Sequence, residues 1–78
     1  MDLPNSGLEM DFSLALRSVR AGQSITREGW NGKGLSVNLA KATSGMTRDF
    51  LYLNYPDGER VPWAPSQTDM LADDWRIA

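Results

Sequence analysis

The stretch Val61-Pro62-Trp63-Ala64-Pro65-Ser66-Gln67-Thr68-Asp69-Met70-Leu71 marks the point where the pattern of the chain changes from strand to helix. Pro62 has no backbone N–H to donate within a sheet, so it confines the strand before it to an edge or a strand end. Ser66 and Asp69 have the spacing of a capping box, in which each side chain accepts from the other residue's backbone N–H. The stretch therefore predicts an edge strand, a stiff exit from the sheet and one or two helical turns.

An amphipathic helix is predicted upstream of this stretch. Asp11 is a suitable N-cap, since its carboxylate can accept from the free N–H groups of the first turn. Gly22 suits the left-handed residue just past the helix end. Between them, apolar residues recur at the spacing of one buried helical stripe, namely Phe12, Ala15, Leu16 and Val19. These signals predict a helix over residues 12–21.

Five short strands are predicted around this helix. Apolar and polar residues alternate in segments 24–27, 35–40 and 75–77, and short strands are also predicted over 50–55 and 60–63. Asn31-Gly32 is a strong hairpin signal because both residues tolerate positive φ. Segment 50–55 is apolar on both faces, which places it inside the sheet or at an interface. The predicted fold class is α+β, with one N-terminal helix packed on a small antiparallel sheet and a helical turn before the last strand.

Length and composition limit the class of protein. Residues 10–78 are predicted to form a single domain with a marginal core, because a chain this short buries only about 60% of its unfolded surface. Residues 1–9 show no periodicity and predict a flexible N-terminal extension. The absence of cysteine and histidine rules out disulfides, thiolate metal sites and the commonest general base. Oligomerisation is the remaining way to bury more apolar surface, so we expect a homo-oligomer.

Charge and hydropathy argue against two further classes. The eight basic and ten acidic side chains nearly cancel and form no basic stripe for DNA or RNA. No apolar run approaches the roughly 20 residues of a membrane span. The N-terminus lacks the basic-then-apolar pattern of a signal peptide. These observations predict a cytoplasmic protein that binds neither nucleic acid nor membrane.

Two of the three tryptophans have two interpretations each. Tryptophans in small domains are mostly buried in the core, and Trp75, which alternates with Ile77, fits that interpretation best. Trp30 lies on a predicted turn, and Trp63 lies where the chain leaves the sheet. Indoles at such places are better platforms for stacking a flat ring such as adenine. We therefore favour ligand stacking for Trp30 and Trp63.

The polar residues that follow Trp63 also have two interpretations. A capping box accounts for Ser66 and Asp69 without any ligand. The same helix start offers free N–H groups to an anion, while the carboxylate of Asp69 suits ribose hydroxyls. The two interpretations are compatible, because a capped turn is also a rigid one. Gln67 and Thr68 have no capping role, and they carry more of the case for a ligand.

The charged residues offer counter-charges but no catalytic centre. Lys33 is either a solvated turn residue or a counter-charge for a phosphate, and Arg27 has the same two interpretations. No Ser-His or Cys-His pairing is possible in this chain. The Asp73-Asp74 pair precedes the final strand, where solvated charge is the simplest account. Binding without catalysis, cofactor or metal is therefore predicted.

Several segments, in a defined order, carry a resemblance to a known family. They are Met10-Asp11-Phe12, Ala15-Leu16, Gly22, Arg27-Glu28-Gly29-Trp30-Asn31-Gly32-Lys33-Gly34, Asp57-Gly58, Val61-Pro62-Trp63, Ser66-Gln67-Thr68-Asp69-Met70-Leu71-Ala72 and Asp74-Trp75. This set resembles the DUF2829 family of small phage and prophage proteins, the family of the second Thoeris anti-defence protein. The resemblance runs from Met10 to the C-terminus.

The resemblance implies a function that composition and periodicity do not. It implies a cytosolic homotetramer that acts as a molecular sponge for glycocyclic ADP-ribose, the signal of a bacterial TIR-domain enzyme, and holds that signal uncleaved. Some members are similar to sponges for cyclic di- or trinucleotides, and one branch carries an anti-CRISPR label. Many relatives have a longer, proline-rich insert where this chain has only residues 41–49, so a pocket lined by that insert would differ here.

The candidate ligand-binding residues follow from two tryptophan motifs, the first over residues 27–34 and the second over residues 61–71. They are Trp30, Asn31, Gly32, Lys33, Trp63, Ser66, Gln67, Thr68 and Asp69. Two functions of other classes stay open at this point. One is an inhibitor that docks directly on a host defence protein such as a CRISPR effector. The other is a structural module whose motifs serve only an oligomer interface.

Overall fold

A five-stranded antiparallel sheet is the scaffold of the protein, and the computed structural model describes residues 9–30 and 33–78. In chain order the elements are α1 (Phe12–Arg20), β1 (Ile25–Arg27), a 3₁₀ turn (Glu28–Trp30), β2 (Ser36–Ala40), β3 (Phe50–Asn54), β4 (Arg60–Pro62), α2 (Gln67–Leu71) and β5 (Trp75–Ile77). The predicted α+β class is confirmed. Most of the extension expected over residues 1–9 lies outside the described residues.

The strand order in the sheet is β4-β3-β2-β1-β5. Strand β3 lies between two neighbours, as its apolar faces predict, and β4 with Pro62 lies at an edge, also as predicted. The last strand pairs antiparallel with the first, so that Arg27 lies opposite Trp75 and Thr26 lies opposite Arg76. This pairing of distant segments places α2 and β5 beside the first turn after β1.

Helix α1 begins and ends as its sequence predicts. The Leu14 N–H donates to Oδ1 of Asp11 at 2.9 Å, so the N-cap is formed. Gly22 has φ +102°, the left-handed conformation that follows many helix ends and that glycine adopts without strain. Ala15 and Val19 are fully buried, while Leu14, off the apolar stripe, is about half exposed. The helix therefore covers one face of the sheet with the predicted stripe.

The core is small and is dominated by one indole. The fully buried residues are Ala15, Val19, Ile25, Val37 and Trp75. They fill the space between α1 and the sheet face that α1 covers, called here the inner face. The burial of Trp75 confirms its predicted place in the core. Met10 pairs with the free edge of Trp75 through two backbone hydrogen bonds, which ties the start of the fold to its last strand.

One local element differs from the sequence prediction. The chain after β1 forms a 3₁₀ turn over Glu28–Trp30 before it reaches the predicted Asn31-Gly32 turn, whose residues lie outside the described range. A contact with the distant residue before β5 holds the first residue of this turn, since the Glu28 N–H donates to the backbone carbonyl of Asp74 at 3.0 Å. Nothing local in the sequence encodes that contact.

Among the described helices, none is long and apolar enough to cross a membrane.

Truncation of the core can be tested with a matched pair of valines in two strands of the sheet, β2 and β4. Val37 in β2 is fully buried, whereas Val61 in β4 is 40% exposed. Val37→Ala removes buried methyl groups and leaves a cavity, so we expect a loss of about 2 kcal/mol in the free energy of unfolding. Val61→Ala should cost under about 1 kcal/mol. Chemical denaturation at equal protein concentrations checks this, and equal losses for the two variants would contradict the assigned core.

Candidate functional site

The two predicted ligand-stacking indoles both pack against Trp75. The ring of Trp30 meets that of Trp75 edge-on, with centroids 5.4 Å apart, and Trp63 does the same at 5.9 Å. Phe12 completes the cluster through tilted contacts with Trp63 and Trp75. Edge-to-face contacts of this kind are favourable for aromatic pairs. Trp30 and Trp63 are therefore both partly core, and each keeps only part of its surface for other contacts.

A cleft lies beside Trp30 on the outer face of the sheet, the face opposite α1. Its volume is about 440 Å³, within the range of small-molecule sites. Successive side chains of a strand point to opposite faces of the sheet. Since Ile25 and Trp75 are buried on the inner face, the residues that follow them, Thr26 and Arg76, point to the outer face and line the cleft. The polar and aromatic residues that line it are Thr26, Arg27, Glu28, Trp30, Lys33, Ser36 and Arg76.

The first predicted motif is held at this cleft by its backbone. The Lys33 N–H donates to the carbonyl of Trp30 at 3.1 Å, which holds these two residues close together. Gly34 follows with φ +73°, a left-handed conformation that favours glycine, and a Cβ there would lie in tight contact with Pro56 at 3.1 Å. The structure thus brings Trp30 and Lys33 together, while Asn31 and Gly32 lie outside the described residues.

The second predicted motif forms a complete capping box. The Asp69 N–H donates to Oγ of Ser66 at 3.1 Å, and the Ser66 N–H donates to Oδ2 of Asp69 at 3.0 Å. The other carboxylate oxygen of Asp69 accepts from Nη1 of Arg27 at 3.0 Å. Both oxygens of Asp69 therefore already accept hydrogen bonds within the protein. The structural interpretation accounts for Ser66 and Asp69 in full.

The rest of the second motif does not line the cleft. Gln67 and Thr68 are exposed on the first turn of α2, and their side chains have no hydrogen-bond partner among the described residues. Trp63 and α2 lie on the inner face, where the Trp75 Nε1–H donates to the carbonyl of Asp69 at 3.0 Å. Within one chain, the two motifs are thus adjacent but face different sides of the sheet.

An ionic network joins the two motifs through Arg27. Its Nε donates to Oδ1 of Asp74 at 2.9 Å, while Nη1 reaches Asp69. The Gly29 N–H donates to the second oxygen of Asp74 at 2.7 Å. The side chains of Arg27, Asp69 and Asp74 are 14%, 13% and 24% exposed, so solvent screens these pairs only weakly. The network fixes β1, α2 and the start of β5 relative to one another.

This network corrects two expectations. Asp74 is not a solvated charge, because the pairing of β5 with β1 places it against Arg27; only Asp73 of that pair is exposed. Arg27 is not a free counter-charge for a phosphate either, since two carboxylates already neutralise its guanidinium. The hydrogen bond from Arg27 lowers the pKa of Asp74, against the opposing effect of desolvation. The hydrogen bond to Asp74 likewise raises the pKa of Arg27.

The sequence alone did not identify three of the residues that line the cleft. Thr26, Glu28 and Arg76 reach the cleft because β5 lies beside β1 and because the 3₁₀ turn redirects the chain. The Thr26 hydroxyl donates to the carbonyl of Leu35 at 2.7 Å, and Arg76 forms an ion pair with Glu28. Alternation with Trp75 indicates that Arg76 faces outward. Only the register between β1 and β5 shows what lies opposite it.

The ionic network predicts a specific dependence of stability on pH. Because the folded state lowers the pKa of Asp74, the unfolded chain binds this proton more readily. The stabilisation is therefore complete above the pKa of Asp74 in the unfolded chain, which is about 4, and is lost as the pH falls through the folded value. We expect Asp74→Asn to cost about 2 kcal/mol in the free energy of unfolding at neutral pH. It should also flatten the loss of stability in acid.

The control for this prediction is the neighbouring Asp73→Asn, which removes the same charge from an exposed side chain. Denaturation of both variants and the parent chain, from neutral pH down to acid, provides the comparison. Equal stability of the two variants at neutral pH, or an unchanged acid profile for Asp74→Asn, would contradict a stabilising role for the network.

Comparison with known proteins identifies the family. A family model described as the Thoeris anti-defense 2-like domain matches residues 10–78. The chain is also similar to "Thoeris anti-defense 2" of Bacillus phage SP01. That match has 35% identity over 85 aligned positions, covering 88% of this chain and 94% of that protein. The resemblance carried by the tryptophan motifs is confirmed, and the chain belongs to the Thoeris anti-defense 2-like family, also named DUF2829.

Proposed function

We propose that the protein counters Thoeris immunity during phage infection by binding a nucleotide-type immune signal and sequestering it uncleaved. The observation that carries this proposal is the similarity to "Thoeris anti-defense 2" over nearly the whole of both chains. Such a protein acts in the cytoplasm of the infected bacterial host, where the signal is made. The proposed partner is a small ligand, and DNA, RNA and membranes are not proposed as partners.

The cleft beside Trp30 supports this proposal as the place of binding. An indole at its wall can stack a nucleobase, which is worth roughly 1–3 kcal/mol per base. Lys33 is exposed at the same wall and has no ion-pair partner among the described residues, so its ammonium is available to a phosphate. A flat ring and a phosphate are the two parts that every nucleotide signal shares.

The ligand proposed first is glycocyclic ADP-ribose, with cyclic di- or trinucleotides as the next candidates. A homotetramer is the proposed assembly, and a dimer is the alternative. Because Trp63, Gln67 and Thr68 lie away from the cleft of their own chain, they would contact a ligand there only from a neighbouring subunit. Ser66 and Asp69 are proposed to act through the rigid α2 that they cap.

A release assay tests sequestration directly. The purified protein is incubated with glycocyclic ADP-ribose, and the free signal is measured by filtration before and after heat denaturation of the protein. We expect the signal to disappear from the filtrate and to return intact on heating. A cleaved product would instead indicate an enzyme. An undiminished filtrate, together with a host protein that co-purifies with the chain, would favour direct inhibition of a defence protein.

The part played by the cleft is tested by comparing two lysines. Lys33→Gln removes the unpaired charge at the cleft, and we expect about a five- to tenfold weaker affinity for the bound signal, the size of one charge-assisted contact. Lys41→Gln makes the same change next to Asp49, outside the cleft, and should leave affinity unchanged. Titration calorimetry measures both variants, and equal affinities would place the ligand elsewhere on the protein.

A further inference from the structure

We propose that Glu28 is an internal competitor for the guanidinium of Arg76, and that a ligand phosphate displaces the Glu28 carboxylate when it binds in the cleft. Glu28 would then weaken the binding of every anion in the cleft. It would also be a specificity-determining residue, because it sets how strongly the cleft favours ligands with more phosphate groups. This inference rests on the proposed function in taking a nucleotide as the ligand.

The backbones of the two residues of this pair are fixed by the same ladder between β1 and β5. Glu28 opens the 3₁₀ turn, and its N–H is anchored on the carbonyl of Asp74. Arg76 lies in β5, directly opposite Thr26 of β1. Both side chains line the cleft that contains Trp30, and there they form an ion pair with each other. Exchange of Glu28 for another anion therefore requires side-chain rotation only, with no change in the backbone.

Because the pair is exposed, breaking it for such an exchange costs little free energy. The side chains of Arg76 and Glu28 are 46% and 58% exposed, and ion pairs in that position contribute little to stability because solvent screens them. Arg27, the other arginine at the cleft, is the opposite case, since it is mostly buried and bound by two carboxylates. Of the two guanidinium groups, Arg76 is thus the one whose partner a phosphate can replace.

The charges around the cleft give the exchange a direction. With Glu28 on Arg76, the exposed Lys33 is the one cation at the described walls that no carboxylate pairs. A phosphate that takes the place of Glu28 gains a bidentate guanidinium contact in addition to this ammonium. A ligand without phosphate gains nothing from the exchange, because its ring needs only Trp30. The reduction of affinity that Glu28 causes should therefore be larger for ligands with more phosphate groups.

The test uses adenosine, AMP and ADP as probes with the full chain. Each is titrated by calorimetry at one low salt concentration into wild type, Glu28→Gln, Arg76→Gln and the double variant. Glu59→Gln is the matched control, since it removes the same charge from an exposed turn residue outside the cleft. The near-ultraviolet circular dichroism of the tryptophan cluster verifies that each variant is folded.

We expect Glu28→Gln to bind ADP about two- to fivefold more tightly than wild type, the range that an exposed ion pair supports. The gain should be smaller for AMP and absent for adenosine. Arg76→Gln should weaken ADP binding, and the double variant should show no gain from the loss of Glu28, because the two residues act as one coupled pair.

Several results would overturn the inference. One is an increase in ADP affinity for Glu28→Gln that is no larger than the increase for Glu59→Gln, or that is equal for adenosine and ADP. Another is an increase in ADP affinity that persists when Arg76→Gln is also present. The last is no binding of ADP by either wild type or Glu28→Gln. Failure of the proposed function has a different signature. In that case the filtrate of the release assay stays undiminished while the ADP series still follows the presence of Glu28.

Discussion

Burial of the Trp75 indole against the inner face of the sheet is the interaction on which the rest of the structure depends. Its ring lies among Phe12, Trp30 and Trp63, and its Nε1–H is satisfied by a carbonyl of α2. Its backbone pairs with Met10 on one side and with β1 on the other. One residue thus anchors both helices, the 3₁₀ turn and two strands, which a chain with few buried residues requires.

The ladder between β1 and β5 also separates two kinds of charge. On its inner side Arg27 is enclosed by Asp69 and Asp74 and serves to hold elements together. On its outer side Arg76 and Glu28 remain in contact with solvent and line a cleft. The alternation of side chains along two paired strands is the reason that a structural network and a ligand-binding surface can lie within a few residues of each other.

The sequence predicted the elements well because their signals are local. The stripe from Phe12 to Val19, the cap at Asp11 and the box formed by Ser66 and Asp69 each act over three or four residues, and the structure contains all of them. The candidate site was predicted less completely. Trp30 and Lys33 do line the cleft, but the motif after Trp63 lies on the other side of the sheet, and Asp74 and Arg27 pair with each other instead of facing solvent or ligand.

The sequence by itself therefore determined the α+β class, the family and the kinds of group available to a ligand, since composition, spacing and motif order are properties of the chain alone. Only the tertiary structure decided which of those groups meet. The pairing of β5 with β1 joins residues nearly fifty positions apart, and no local pattern encodes its register. That register makes Arg27 a structural residue and places Arg76, directly opposite Thr26, on the face of the sheet that carries the cleft, because direct strand neighbours share one face of a sheet. There Arg76 forms its ion pair with Glu28 of the following turn.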